Sequence, residues 1–273
     1  MVAHITIAHV FGPDASSCGR PSAEVDYRRG VLAAVVFVPS APLLVPQLAG
    51  PSAADTAPVR TAALRAVAGL AATSRRWVIV GADADERDVA RVGTFRGFGV
   101  DVVVSLAPVD GRDHPADPGM PLSLLIGGWL RGRVGADVTA RPLLVAPDLP
   151  PADCAARGAA LRAELDADAE PVGVLVVADG STRLGDTAPG GGFSPECRAL
   201  QDDLDAAVGT GDRDGLIGLS VGAASGAGIG GRAAFQVAAG LDTDGRFHGE
   251  TYYAAAPFGV GYIVARWSVG GAS

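Results

Sequence analysis

VGVLVVADGSTRLGDTAPGGGFSPEC, from Val172 to Cys197, decides the fold class. An apolar run breaks abruptly into Asp179-Gly180-Ser181-Thr182-Arg183-Leu184. A glycine-rich loop follows, and Ser194-Pro195-Glu196 then reads as a helix start. A short run that is apolar at every position is a strand buried on both faces. Its C-terminal end, where polar side chains gather, is the usual place for a site in an open α/β sheet.

Working outward, the same alternation recurs. Strands are expected at Val31–Val38, Trp77–Gly81, Asp101–Leu106 and Pro142–Ala146. Helices are expected near Thr56–Ala72, Pro121–Leu130, Ala152–Leu165, Pro195–Val208, Asp214–Val221 and Arg232–Leu241. The chain closes on a hairpin, Arg246–Ala255 and Val260–Trp267. Short apolar strands alternating with helices predict a single α/β domain, a mostly parallel central sheet flanked by helices. Residues 1–30 differ in composition and read as a poorly ordered extension, with the domain spanning 31–273.

Composition excludes several functions. The chain has 273 residues and a net charge of -8, which argues against a nucleic-acid surface. It contains no lysine and no asparagine, as a GC-rich genome would favour. Without lysine there is no Walker A loop and no Schiff-base chemistry. Cys18, Cys154 and Cys197 are sparse and far apart, which fits a reducing cytoplasm and no zinc site. No apolar run is long enough to span a bilayer. The expected partner is a small molecule, aromatic or carboxylate-bearing, with neither nucleic acid nor membrane; a homo-oligomer is compatible with the sequence.

Isolated motifs are weak. Gly226–Gly231 matches GxGxxG, but it follows a helix-like segment late in the chain, whereas a dinucleotide fingerprint opens on the first strand. Asp83, Asp85, Glu86 and Asp88 cluster after a strand without calcium-loop spacing and read as a solvated helix start. His114, in a loop, is a candidate acid or base; His248 reads as structural. There is no GxSxG elbow and no HExxH.

Five segments together resemble the class III, LigB-type extradiol ring-cleavage dioxygenases. Pro39–Pro46 is similar to that family's PHPPLL-type turn, and Trp77–Asp83 to its second strand. Asp113-His114-Pro115 with Met120-Pro121-Leu122 resembles its DHG…VPL segment. Ala178–Leu184 is similar to its GDxSHRL segment, and Pro257–Tyr262 to its closing GPFGVGY strand. The resemblance implies a LigB-like fold and, in active members, two histidines and a glutamate holding ferrous iron, with a further histidine as acid or base. Here Ser40 stands at the first ligand's place, Ala82 or Asp83 at the second, and Thr182 at the acid/base histidine. No Asp or Glu occurs between Gly215 and Leu241, where the ligand glutamate belongs. The resemblance therefore implies a divergent member with no metal and no cofactor of the family's kind. Its pocket would be lined by Ser40, Asp83, Ser181, Thr182 and Arg183, with His114 and Asp179 as the catalytic candidates. The alternatives are an enzyme, a dioxygenase with a rearranged site or a metal-free lyase or hydrolase, using His114 with Asp83 or Asp179, and a purely structural assembly subunit.

Overall fold

The computed structural model describes residues 32–83, 89–109 and 115–269. In chain order the elements are β1 (Leu32–Val38), α1 (Pro46–Ala49), α2 (Ala57–Thr73), β2 (Arg76–Ala82), β3 (Val92–Thr94), β4 (Val103–Ser105), α3 (Leu122–Val134) and β5 (Thr139–Val145). There follow α4 (Pro151–Asp166), β6 (Val172–Val177), α5 (Pro195–Thr210), α6 (Arg213–Ile217), α7 (Val221–Gly226), α8 (Arg232–Gly240), β7 (Phe247–Ala255) and β8 (Tyr262–Val269).

The main sheet has strand order β5-β2-β6-β1-β8-β7. The first four strands are parallel, and β8 and β7 add an antiparallel hairpin beside β1. This is the expected architecture. Both parities of the central strands are buried, so each strand feeds two cores. Val174 and Val176 of β6 face one, and Leu175 and Val177 the other. In β2, Val78 and Val80 separate from Trp77 and Ile79 in the same way. Helices α2 and α3 cover one face, and α4, α5 and α8 the other. That is why these strands are apolar throughout rather than alternating.

Aromatic residues lock the hairpin onto β1. The Trp267 ring lies 4.6 Å from Phe37, centroid to centroid, and its indole N–H donates to the Val208 carbonyl at 2.6 Å. On the other face Gly173 lies so close to Leu70 of α2 that a Cβ would fall inside 3.0 Å of its side chain.

Two elements differ from expectation. The run at Asp101–Leu106 yields only β4, which pairs antiparallel with β3 in a separate ribbon. Val104 is buried while Val103 is 58% exposed, so this strand has one covered face and cannot sit inside the main sheet. The segment expected as one helix over Asp214–Val221 breaks at Gly218, and the Ser220 hydroxyl, accepting from the Ala223 N–H, starts α7 afresh. Residues 1–30 lie outside the described residues. Among the described residues no helix is long and apolar enough to cross a membrane.

Candidate functional site

The four parallel strands end on one edge of the sheet, and the chain leaving each end enters a shared cavity of about 430 Å³. Ser40 arrives after β1, Ala82 and Asp83 at the end of β2, Pro147 after β5, and Ala178 and Asp179 after β6. Thr182 continues from β6, Leu122 and Ser123 open α3, and Gly228, Gly230 and Gly231 lead into α8.

Asp179 is the electrostatic centre of this cavity. Burial pushes its carboxyl up to about 7, against the opposing pull of the Ser40 N–H, which donates to Oδ1 at 2.8 Å. The hydrogen bond favours the anion and desolvation the acid, and desolvation wins. Asp179 in turn acts on Tyr262, whose phenol is pushed up by burial first and by the neighbouring carboxylate second. Asp83 is fixed through its backbone N–H, which donates to Val145 at 3.0 Å across the β2–β5 ladder.

Glycines shape the wall around Thr182. Gly228 has φ +69°, and a Cβ there would fall inside 3.0 Å of Thr182 Oγ1. A Cβ on Gly190 would meet the same hydroxyl, and one on Gly231 would meet the Ala178 methyl and the Asp179 carbonyl. Gly228→Ala therefore combines left-handed strain with a displaced Thr182, and is expected to cost about 1–3 kcal/mol. Urea unfolding checks this; a loss below about 0.5 kcal/mol would mean that Thr182 moves aside freely.

Of the residues singled out in the sequence, Ser40, Asp83, Asp179 and Thr182 meet in this cavity. Ser181 does not line it. Ser181 is buried beneath, its hydroxyl donating to the Ala227 carbonyl at 2.7 Å and its N–H donating to Gln201 Oε1 at 2.7 Å. Arg183 turns away and donates to the Gly226 carbonyl at 3.0 Å. Both fasten the strand end to the loop before α8 rather than facing a ligand. His114, Asp85, Glu86 and Asp88 lie outside the described residues. His248 is exposed on β7.

Other contributors were not picked out from sequence. Gln201 of α5 is fully buried, and a Cβ on either Gly180 or Gly261 would collide with its amide. Its Nε2 donates to Asp205 at 2.7 Å, and Asp205 is pushed up to about 6 by burial against that hydrogen bond. Gln201 thereby clamps the backbone just after Asp179. The available signal was a Gln–Asp pair at i, i+4 on a helix, which is common on solvated faces. The run Gly226–Gly231 follows α7, not a strand, and serves as cavity wall rather than as a dinucleotide turn.

The polar side chains of the cavity are the hydroxyls of Ser40, Ser123 and Thr182 and the carboxyls of Asp83 and Asp179, with no imidazole among the described lining residues. Among the described residues no three His, Cys, Asp or Glu side chains cluster. This set does not fit the two-histidine, one-carboxylate triad of non-haem iron oxygenases. It suits a ligand with hydrogen-bonding oxygen or nitrogen groups, which a carboxyl near neutrality meets as donor or acceptor.

No family model matches the chain, and no curated protein matches it. Among solved structures, it is similar to the uncharacterized protein JW3007 from Escherichia coli K12, at 12% identity and a TM-score of 0.49, over 87% of this chain and 100% of that one.

Proposed function

We propose that this chain is a divergent relative of the LigB-type extradiol dioxygenases. It has kept the pocket at the strand ends for a small molecule and given up iron-dependent ring cleavage. One observation supports the reading: Ser40, Asp83, Asp179 and Thr182, from segments far apart in sequence, converge on one cavity. Ser40, Thr182 and either Ala82 or Asp83, all lining the cavity, stand at the positions where the resemblance puts metal ligands and the acid/base histidine. The site is thus kept as a shape while its donor set is changed. The two described cysteines, Cys154 and Cys197, are free and buried, and we place the protein in a reducing cytoplasm.

The test is purification under anaerobic conditions with ferrous iron, followed by metal analysis and oxygen uptake on catechols. The expected result is iron far below one per chain and no oxygen consumption. Iron at one per chain together with ring-cleaved product would overturn the reading. Thermal shift with catechols and aromatic carboxylates then measures occupancy of the cavity.

A second reading, a metal-free lyase or hydrolase, draws support from Asp179. A carboxyl held near 7 is matched to acid–base work at neutral pH. In that case Asp179→Asn removes turnover while leaving ligand binding in place.

A further inference from the structure

We infer that a second cavity, of about 310 Å³, is a subsite for an oxyanion, either a carboxylate or a phosphate group. It adjoins the first across Pro147, Gly228 and Gly230, and its wall includes Asp148, Ser225 and Arg232. The inference stands apart from the proposed function, because it rests on different residues.

A buried cation forms part of this wall. Arg232 is 1% exposed and opens α8. Its Nη1 donates to Gln236 Oε1, and its Nη2 to the carbonyls of Pro147 and Leu149 at 2.6 Å each. Gln236 cannot turn to offer anything else, since its Nε2 is held by the carbonyls of Leu216 at 2.9 Å and Leu219 at 2.8 Å. Arg232 also draws on the Cys154 thiol, but burial outweighs that pull and keeps the thiol above its ordinary range. Every partner is therefore neutral, and among the described residues no carboxylate forms an ion pair with Arg232.

Arg131 is a second buried arginine, where burial works against the charge and Asp137 draws the other way. It is 5% exposed and also donates only to neutral oxygens, those of Val138, Ala136 and Ser105. But Arg131 lies in the last turn of α3, where the negative end of the helix dipole supplies opposite charge. Arg232 lies in the first turn of α8, where the dipole adds to its own charge. A buried, always-ionised guanidinium at the positive end of a helix, beside a cavity, leaves a field that an anion would neutralise. The exposed carboxylate of Asp148 is on the same wall and works against such an anion, without reaching ion-pair distance of Arg232.

The test is calorimetric titration of the full chain with sodium phosphate and, separately, sodium acetate, at ionic strength held constant with chloride. Saturable binding of at least one is expected. Phosphate alone identifies a phosphate ester as the ligand class, and acetate, alone or as well, a carboxylate. Arg232→Gln is expected to weaken binding about tenfold or more. Should that variant fail to fold, two exposed positions keep the test decisive. Ser225→Asp places a competing carboxylate in the wall and is expected to weaken binding about tenfold, and Asp148→Asn to tighten it about threefold. No saturable binding of either anion, or affinities unchanged in Ser225→Asp and Asp148→Asn, would overturn the subsite. Neither result bears on whether the larger cavity takes a ligand.

Discussion

Asp179→Asn is expected to make the protein more stable than the wild type at pH 8, by about 2–4 kcal/mol, with the gain shrinking to about 0.5 kcal/mol at pH 4. The carboxyl is raised from 3.8 to about 7 on folding. Well below pH 3.8 it is protonated folded and unfolded alike and contributes nothing. As pH rises towards 7 the unfolded chain ionises while the folded one resists, so the unfolded state gains and stability falls. Above 7 the penalty is complete. Three units would be worth about 4 kcal/mol, and the lower end of the range allows for solvent reaching the cavity side of the carboxyl. Asparagine keeps an oxygen to accept from the Ser40 N–H but cannot ionise. Urea unfolding at pH 4, 6 and 8 checks this through the slope rather than the absolute value. Parallel stability curves for the two proteins would show that Asp179 carries no such penalty. A cavity carboxyl that costs stability at neutral pH marks a candidate functional group.

Gly158→Val is expected to destabilise the fold by about 3 kcal/mol or more, the largest loss among the glycines. Helices α4 and α8 meet backbone against backbone at this point. A Cβ on Gly158 would fall inside 3.0 Å of the Val237 carbonyl oxygen and of the Gly240 Cα, and one on Gly240 inside 3.0 Å of the Ala155 backbone. Neither obstacle is a side chain that can rotate away, so the helices must separate. Gly132→Ala is the matched control. It also lies inside a helix, α3, yet has nothing within 4 Å of the added carbon. There the gain in helix propensity stands alone, and alanine is expected to stabilise by about 0.5–1 kcal/mol. Equal effects at the two positions in thermal melts would refute the close-packing account. The contact also matters to the site, because α8 delivers Gly231 and Arg232 to the two cavity walls.

How far the sequence foretold this molecule depends on where its information is local. The runs of β1, β2 and β6 are apolar at both parities, and only a doubly covered parallel strand needs that, so the main sheet was legible. β3 was not, because three residues, Val92-Gly93-Thr94, are too few to show a period, although all three are buried. Asp179 and Thr182 could be named because the end of the β6 run is marked by an abrupt change from apolar to polar, and Ser40 and Asp83 because the resemblance aligns them with ligand positions. Ser181 looked the same in sequence, but alternation after β6 turns it under the sheet edge, towards Gln201 and Ala227. Gly226–Gly231 was visible as a motif, but its use as a wall depends on α5, α7 and β6 meeting there. Arg232 was indistinguishable from the other arginines, since nothing local tells a buried cation from a solvated one.

The strand order has a kinetic consequence. β1 is the first strand of the sheet to leave the ribosome, yet its two neighbours are β6 and β8, with Leu32 aligned to Val172 and Val35 to Trp267. Until both arrive, a fully apolar strand waits with two open edges. Closing such long loops comes late on the folding route and makes it slow. Aggregation competes with folding during synthesis. Cover of Leu32–Val38 in that interval, as α2 gives β1 in the finished fold, would protect the yield of native protein without adding to the stability of that fold.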